Sequence, residues 1–482
     1  MSKRLAALIA AAIVPALTVA APAHAQTQYP YRLVDPGTFG GPGSFLGLPG
    51  AITSNGTVMG TADTTTPDPD LPTQFCAPFC DGYVQHAFAW RSGRLVDLGA
   101  LAPAADNNSV IGQLNGNGVG AGASENGRID PLTGAPAQEA TVFEHGRVIG
   151  LGTLGGHDSG ALDINSHGQV IGFSTTSTRD PFPSEQQYYF PFVGEIRGFV
   201  WRDGVMRDLG TLGGPDAQSY LQNQRGQIAG WSDTNSRLHA ATGAPTIDPF
   251  LWQDGRMTDL GGLGGTLGFV NGLNDRGEVV GQSDLPGDHA SRPYLWNGQR
   301  MIDLGTLGGD LGAATYVNDR GDVAGWSFTT GDQGFDGFLW HNGKMTDLPP
   351  IGGAAFASAE SVNNQDEVVG VGYDSNGNEV SAFLWTGGHG YDLNTLVAPS
   401  DFQIISADYI NNRGEIYGHG IYTSGPNAGD ARVFALIRNP SVPLPAAPKA
   451  ARPQPATNKR NAIALALRLA HHGSTAVPSA RH

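Results

Sequence analysis

A pattern of eight residues, Asn-x-x-Gly-x-[Val/Ile]-x-Gly, recurs along this chain and restricts its folding more than any other feature. It stands as Asn165-Gly168-Val170-Gly172, Asn274-Gly277-Val279-Gly281, Asn318-Gly321-Val323-Gly325 and Asn411-Gly414-Ile416-Gly418, with looser copies from Thr53, Asn115, Asn223 and Asn363. A second block, aromatic-x-x-Gly followed by Asp-Leu-Gly-x-Leu-Gly-Gly, starts at Trp90, Phe143, Trp201, Trp252, Trp296, Trp340 and Trp385 and decays in its second, sixth and seventh copies. The two blocks alternate. Copies of the first lie about 44 to 62 residues apart, in the range of propeller repeats and too far for leucine-rich or ankyrin units.

Each unit carries four strand signals separated by turn signals. In the fifth they are Phe269 to Leu273, Glu278 to Gln282, Pro293 to Trp296 and Gln299 to Asp303, named here strands a, b, c and d. Asn-Asp-Arg-Gly joins a to b and Trp-Asn-Gly joins c to d, each with glycine where a tight hairpin needs positive φ. Composition agrees: 70 glycines and 15% charged residues disfavour a helical protein, and 40% hydrophobic residues can bury too much surface for a disordered chain. The ends of the repeat array are complementary. Leu33-Val34-Asp35-Pro36-Gly37-Thr38-Phe39-Gly40-Gly41 matches Met301 to Gly309 and is a lone strand d, whereas the eighth unit has strands a to c, the last at Arg432 to Leu436, and no d. The expectation is all-β: an eight-bladed β-propeller closed by the N-terminal strand joining the C-terminal blade, with seven blades as the alternative.

The repeat resembles the extracellular repeat, HAF family, of bacterial exported proteins. Its His-Ala-Phe signature occurs as His86-Ala87-Phe88, with equivalents at Arg197-Gly198-Phe199, Gly337-Phe338-Leu339 and Ala382-Phe383-Leu384, and the resemblance covers nearly all of residues 31 to 438. It implies export and a repetitive β fold. It brings no established activity and no catalytic residues.

Residues 1–25 read as a secretory signal: Lys3 and Arg4, the apolar run Leu5 to Ala21, then Ala23-His24-Ala25 as a cleavage site. The expected division is therefore signal peptide 1–25, propeller 26–439, and a Pro/Ala-rich basic disordered tail 440–482, in which Ala462 to His472 has the makings of a short basic helix. The protein is expected outside the cytoplasm, periplasmic or extracellular, as a monomer without a transmembrane segment. Cys76 and Cys80 are then expected to form a local disulfide. A net charge of −16 argues against a nucleic-acid partner, although the stretch from Ala431 onward holds eight Lys or Arg and no acid.

Variation in length concentrates in the b–c connections, which share one face of an antiparallel array with the d–a connections. The richest of them holds Phe182, Tyr188, Tyr189 and Phe190, aromatic area suited to a glycan or protein ligand. The recurrent Asp97, Asp208, Asp259, Asp303, Asp347 and Asp392 each precede a turn and are read as bonding their own backbone, so no metal and no cofactor is expected. Gly156-His157-Asp158-Ser159-Gly160 has hydrolase residue types, but contiguous residues cannot form a triad. Glu360 and Asp408 both stand three residues before the Asn of their block and could serve as a carboxylate pair aimed toward the axis. A non-catalytic binding module is the favoured reading. A carbohydrate-active enzyme using Glu360 and Asp408 and a surface adhesion protein are its rivals.

Overall fold

Each Asn-x-x-Gly closes a hairpin. In the fifth unit Gly277 takes φ 84°, its N–H donates to the Asn274 carbonyl at 3.0 Å, and the Asn274 N–H donates to the Glu278 carbonyl at 3.1 Å. A computed structural model describes residues 29–46, 53, 56–69, 82–102, 106–182, 193–240, 242–446 and 459–472. Among these residues the strands form antiparallel meanders in the order a-b-c-d. Six sheets have four strands. A seventh has eight, because the fifth unit (Gly268–Leu273, Val279–Asp284, Ser291–Trp296, Met301–Asp303) touches the sixth (Gly308–Val317, Val323–Thr329, Phe335–His341, Lys344–Leu348) through one parallel bridge, Ser291 to Leu311.

The N-terminal strand Tyr31–Val34 pairs antiparallel with Ala431–Arg438, with Leu33 opposite Leu436 and Val34 opposite Ala435. It supplies the fourth strand of the eighth unit, whose others are Phe402–Ile410 and Ile416–Tyr422. The first and eighth units also pack together. Tyr417, Val433 and Ala435 share an apolar cluster with Val58, Ala62, Phe88 and Trp90, and Arg432 Nε donates to the Pro42 carbonyl at 2.6 Å.

The aromatic of the His-Ala-Phe position makes the core. Phe88, Phe199, Phe250 and Phe338 are fully buried, as is Tyr294 at the same register in the fifth unit. The tryptophan two residues on stands nearer the edge: Trp201, Trp252, Trp296, Trp340 and Trp385 are half-buried against the clusters that join their unit to the preceding one. The last glycine of the block has its own reason. Strand a bulges at Asn271, and a Cβ on Gly281 would stand 1.9 Å from the carbonyl oxygen of Phe269.

The Asn side chain joins one unit to the next. Asn318 Oδ1 accepts from the N–H groups of Arg320 and Asp322, both at 2.9 Å, which shapes its own turn. Its Nδ2 donates across the interface to the Asn363 carbonyl at 2.9 Å. The same bond runs from Asn223 to Asn274 (3.0 Å), from Asn274 to Asn318 (2.9 Å) and from Asn363 to Asn411 (3.1 Å). These groups are buried, so each lost partner leaves a donor or acceptor without water to replace it.

Within the segment read as a disordered tail, Lys459–His472 form a helix, α1. It covers the short basic helix expected from Ala462 to His472, and its Ala462, Leu465, Ala466 and Leu469 are buried against the sixth and seventh units.

Asn318→Ala removes the turn acceptor and the inter-unit donor together and is expected to lower stability by about 2–4 kcal/mol, whereas Arg320→Ala, at a half-exposed position, is expected to cost less than about 1 kcal/mol. Urea unfolding of the two variants checks the ordering.

Candidate functional site

Strand a bulges three residues before the Asn in seven units, and the residue at the bulge is Gly112, Leu162, Tyr220, Asn271, Thr315, Glu360 or Asp408. In the fifth and sixth units this side chain reaches the next strand a: Asn271 Nδ2 donates to the Ala314 carbonyl at 2.8 Å and Thr315 Oγ1 to the Ala359 carbonyl at 2.7 Å. Glu360, on Phe356–Val362 of the seventh unit, is 5% exposed. It is closed to solvent where a catalytic acid of a glycosidase would be open to substrate.

The two carboxyls have partners that the spacing of the repeat did not indicate. His419 of the eighth unit lies between Glu379, on strand c of the seventh (Glu379–Thr386), and Asp408: Nε2 to Glu379 Oε2 is 2.6 Å and Nδ1 to Asp408 Oδ2 is 3.4 Å. Ser406 Oγ donates to Asp408 Oδ1 at 2.7 Å. Burial opposes a charged imidazole, but Glu379 and Asp408 outweigh it and hold the His419 pKa well above its ordinary value. Burial pushes the Glu360 carboxyl up to about 7; the Ser358 hydroxyl draws it down, and the charges of Asp408 and Glu379 raise it further. The cluster sets the His419 imidazole between the side chains of Glu379 and Asp408, with the buried Glu360 carboxyl on the neighbouring strand a.

Phe182, the described member of the aromatic patch, is half-buried, and its N–H donates to Asp180 Oδ1 at 2.7 Å. Tyr188, Tyr189 and Phe190 lie outside the described residues, as do Cys76 and Cys80. The b–c end carries other apolar groups: Ile129 and Leu132 in the second unit are each 59% exposed, and Leu238 in the fourth is 47% exposed. At the opposite end, Asn223, Asn274, Asn318 and Asn363 line a polar cavity of about 270 Å³ with the residues that follow them. Those followers are engaged with one another, the Gln224 N–H donating to Asp275 Oδ1 at 2.9 Å and the Asp275 N–H to Asp319 Oδ1 at 3.1 Å.

Five of the six recurrent aspartates bond their own turn, Asp392 accepting from the Asn394 N–H at 2.9 Å; Asp347 does not, because the residue two on is Pro349, which has no N–H. Asp97, Asp208 and Asp259 accept from the N–H two residues on at 2.7 Å, and Asp303 does so at 2.8 Å. Asp158 accepts from the Gln138 N–H at 3.0 Å and Ser159 Oγ donates to the Gly152 carbonyl at 2.7 Å, so the Gly156 to Gly160 segment belongs to the scaffold. Asp322, His341 and Asp366 come close enough together to hold an ion, but Arg320 lies 3.3 Å from Asp322 and 3.2 Å from Asp366 and supplies the positive charge there.

No family model matches this chain, and no curated protein matches it in sequence. Among solved structures it is similar to the β-propeller domain of the Trilobed protease from Pyrococcus furiosus (10% identity, TM-score 0.39, covering 73% of this chain and 97% of that one). It is also similar to the Pyrococcus horikoshii acylaminoacyl peptidase (11%, TM-score 0.38, 78% and 57%) and to an oligogalacturonate lyase in complex with manganese (10%, TM-score 0.37, 64% and 84%). At these scores neither fold nor activity passes from those proteins to this one.

A carboxyl whose pKa is raised by folding favours the protonated form, so its contribution is full below the ordinary value of 4.5 and is lost as pH climbs to about 7 for Glu360. Asp158, Asp163 and Asp248, each pushed up to about 6 chiefly by burial, act in the same direction from 3.8. His419 also acts in this direction, since its stabilising charge is present below 6.5 and is lost as pH rises through its raised pKa. The melting temperature is therefore expected to fall between pH 4.5 and pH 8. Glu360→Gln should recover part of the loss at pH 8, on the order of 3 kcal/mol at most, and almost none at pH 4.5. Thermal melts across that range check both; a flat profile for the parent protein contradicts the assignment.

Proposed function

We propose that this chain is an eight-bladed β-propeller of HAF-type repeats, exported after loss of residues 1–25 and monomeric, that serves as a non-catalytic binding module. Support for the ring comes from pairings inside the chain: the first strand completes the eighth unit, and apolar clusters join consecutive units, including the eighth to the first. Closure of this kind removes exposed sheet edges.

The observation that carries the binding reading is the contrast between the two ends of the sheets. One end is a set of near-identical Asn turns bonded to each other. The other presents b–c connections of unequal length, three of which, in consecutive units, carry Ile129 and Leu132, Phe182, and Leu238. Connections that vary on a rigid scaffold are where recognition usually resides, and these carry exposed or half-buried apolar side chains. Their chemistry suits a protein partner, and the aromatic run Tyr188 to Phe190 extends the choice to a glycan. The burial of Glu360 and the engagement of Asp408 with His419 favour this reading over a glycosidase.

Ile129→Ser, Leu132→Ser and Leu238→Ser combined are expected to reduce retention on a peptide and glycan array at least tenfold, with Tyr188, Tyr189 and Phe190 changed to Ala as a second variant. Surface changes of this type shift stability by about 0.5 kcal/mol each, so the melting temperature should barely move. Retention unchanged in both variants rejects the surface. N-terminal sequencing of the protein from cell fractions tests export, with Gln26 the expected first residue.

A further inference from the structure

The residue that follows the block Asn ties its hairpin to the next one, and between the third and eighth units the tie fails at one place. The Ser166 N–H donates to Gln224 Oε1 at 3.0 Å, the Gln224 N–H to Asp275 Oδ1 at 2.9 Å, the Asp275 N–H to Asp319 Oδ1 at 3.1 Å, and the Asn364 N–H to Asn412 Oδ1 at 2.8 Å. From the sixth unit to the seventh this bond is missing. Asn364 Oδ1 is shielded from solvent and accepts nothing among the described residues, so turning the Asn364 amide costs the scaffold no hydrogen bond. The seventh unit is also the one whose turn lacks glycine: Asp366 takes φ 61° where Gly321 and Gly414 stand in its neighbours, and Arg320 pairs with its carboxylate at 3.2 Å. A side chain at positive φ is strained where glycine is not, so the hairpin itself does not ask for this departure.

Asp319 and Asn364 both line the polar cavity of about 270 Å³ at the turn end. Two residues before the block Asn, Tyr316 and Tyr409 line it as well. Their rings meet edge to face, centroids 5.9 Å apart, across the seventh unit, whose Ser361 at the same register is too small to part them. The polar wall offers both kinds of hydrogen-bonding group. Asp275 and Asp319 each commit Oδ1 to a backbone N–H and keep Oδ2 as an acceptor, while Gln224 and Asn412 commit their amide oxygens and keep NH2 groups as donors.

This lining selects by chemistry. Two carboxylates and no Lys, Arg or His in the wall disfavour an anion, and an apolar ligand would strip water from the polar groups without replacing its bonds. The volume is below that of a site for a drug-sized molecule. A small ring bearing hydroxyls meets every condition: each hydroxyl donates to a carboxylate and accepts from an amide, and the C–H face of the ring rests on an aromatic side chain. We propose that the cavity is a binding site for a single neutral sugar ring, with Asp275 and Asp319 accepting from its hydroxyls, the amide of Asn364 turned to meet it, and Tyr316 and Tyr409 against its C–H face. The site lies at the opposite end of the sheets from the b–c connections and stands whether or not those bind anything.

The test is a ligand-observed NMR titration of the full chain with D-glucose, D-galactose and D-mannose, at least one of which is expected to bind with Kd on the order of 1 mM. Asn364→Ala removes a side chain that bonds nothing in the scaffold, and is expected to weaken binding by about tenfold or more while the melting temperature holds or rises. Asp319→Asn keeps the acceptor for the Asp275 N–H and replaces the second carboxylate oxygen, with the same loss expected. Failure of all three sugars to bind overturns the proposal, as does a Kd equal to the parent's in both variants. Calorimetry with calcium chloride separates the rival occupant: heat that Asp319→Asn abolishes, in a chain that binds no sugar, assigns the cavity to a cation and overturns the sugar. The combined Ile129→Ser, Leu132→Ser, Leu238→Ser variant is expected to bind the sugar as the parent does, and a loss confined to that variant moves the sugar to the b–c surface and overturns this site.

Discussion

The asparagine that opens seven of the eight repeats is the joint of this molecule. Its carboxamide is used at both ends: the oxygen organises the hairpin to which it belongs, and the nitrogen reaches the main chain of the next hairpin, as Asn274 does to Asn318 and Asn318 to Asn363. An acidic or amide side chain four residues on takes a second bond from the same nitrogen, Glu278 from Asn274 at 2.6 Å and Glu367 from Asn363 at 2.7 Å. No other side chain of that length offers both a double acceptor and a double donor. Because the bonds are made between turns, the turns must match in shape from unit to unit. Freedom of sequence is thereby pushed to the other end of the strands, where the connections differ.

The bulge in strand a follows from the same repeat. It turns one side chain per unit toward the neighbouring unit, and what stands there decides how the two sheets meet. Asn271 and Thr315 satisfy the position with a neutral hydrogen bond to the next strand, and Gly112 leaves no room for anything larger, since a Cβ there would lie 2.3 Å from the Leu162 carbonyl oxygen. Glu360 and Asp408 put carboxyls into successive positions. A buried pair of this kind is tolerated because His419 brings a positive charge between Glu379 and Asp408, and because Glu360 retains its proton more readily than an exposed acid would. The joint between the seventh and eighth units thus carries titratable side chains where the joint from Thr315 to Ala359 carries a neutral hydrogen bond.

Much of the scaffold was legible in the residues. Strand positions in the fifth unit agree to within two residues, five of the six aspartates before the turns bond their own backbone, and Leu33 meets Leu436 as the complementary ends of the repeat require. Each of these is a local pattern or a direct likeness between segments. The burial order of the aromatics was less visible: the tryptophans recur in the sequence more regularly, but in the pleat it is Phe88, Phe199, Phe250 and Phe338 that turn fully inward. Glu379 and His419 were missed as partners of the acid pair. They lie on strands c and b of adjacent units, and only sheet-to-sheet packing brings them together. A signal for them was present in the departure itself, since His419 stands where other units have Thr61, Ala123 or Phe173.

From its amino acids alone the chain determines the period, the hairpins, the strand order within a unit and the complementarity of its two ends, because each depends on backbone preferences, local spacings or a direct likeness between segments. Tertiary structure decides what lies between units: the carboxamide joints, the charge state of Glu360, and the seat of α1. Those depend on desolvation and on side-chain contacts between packed units, and neither is written in the spacing of a repeat.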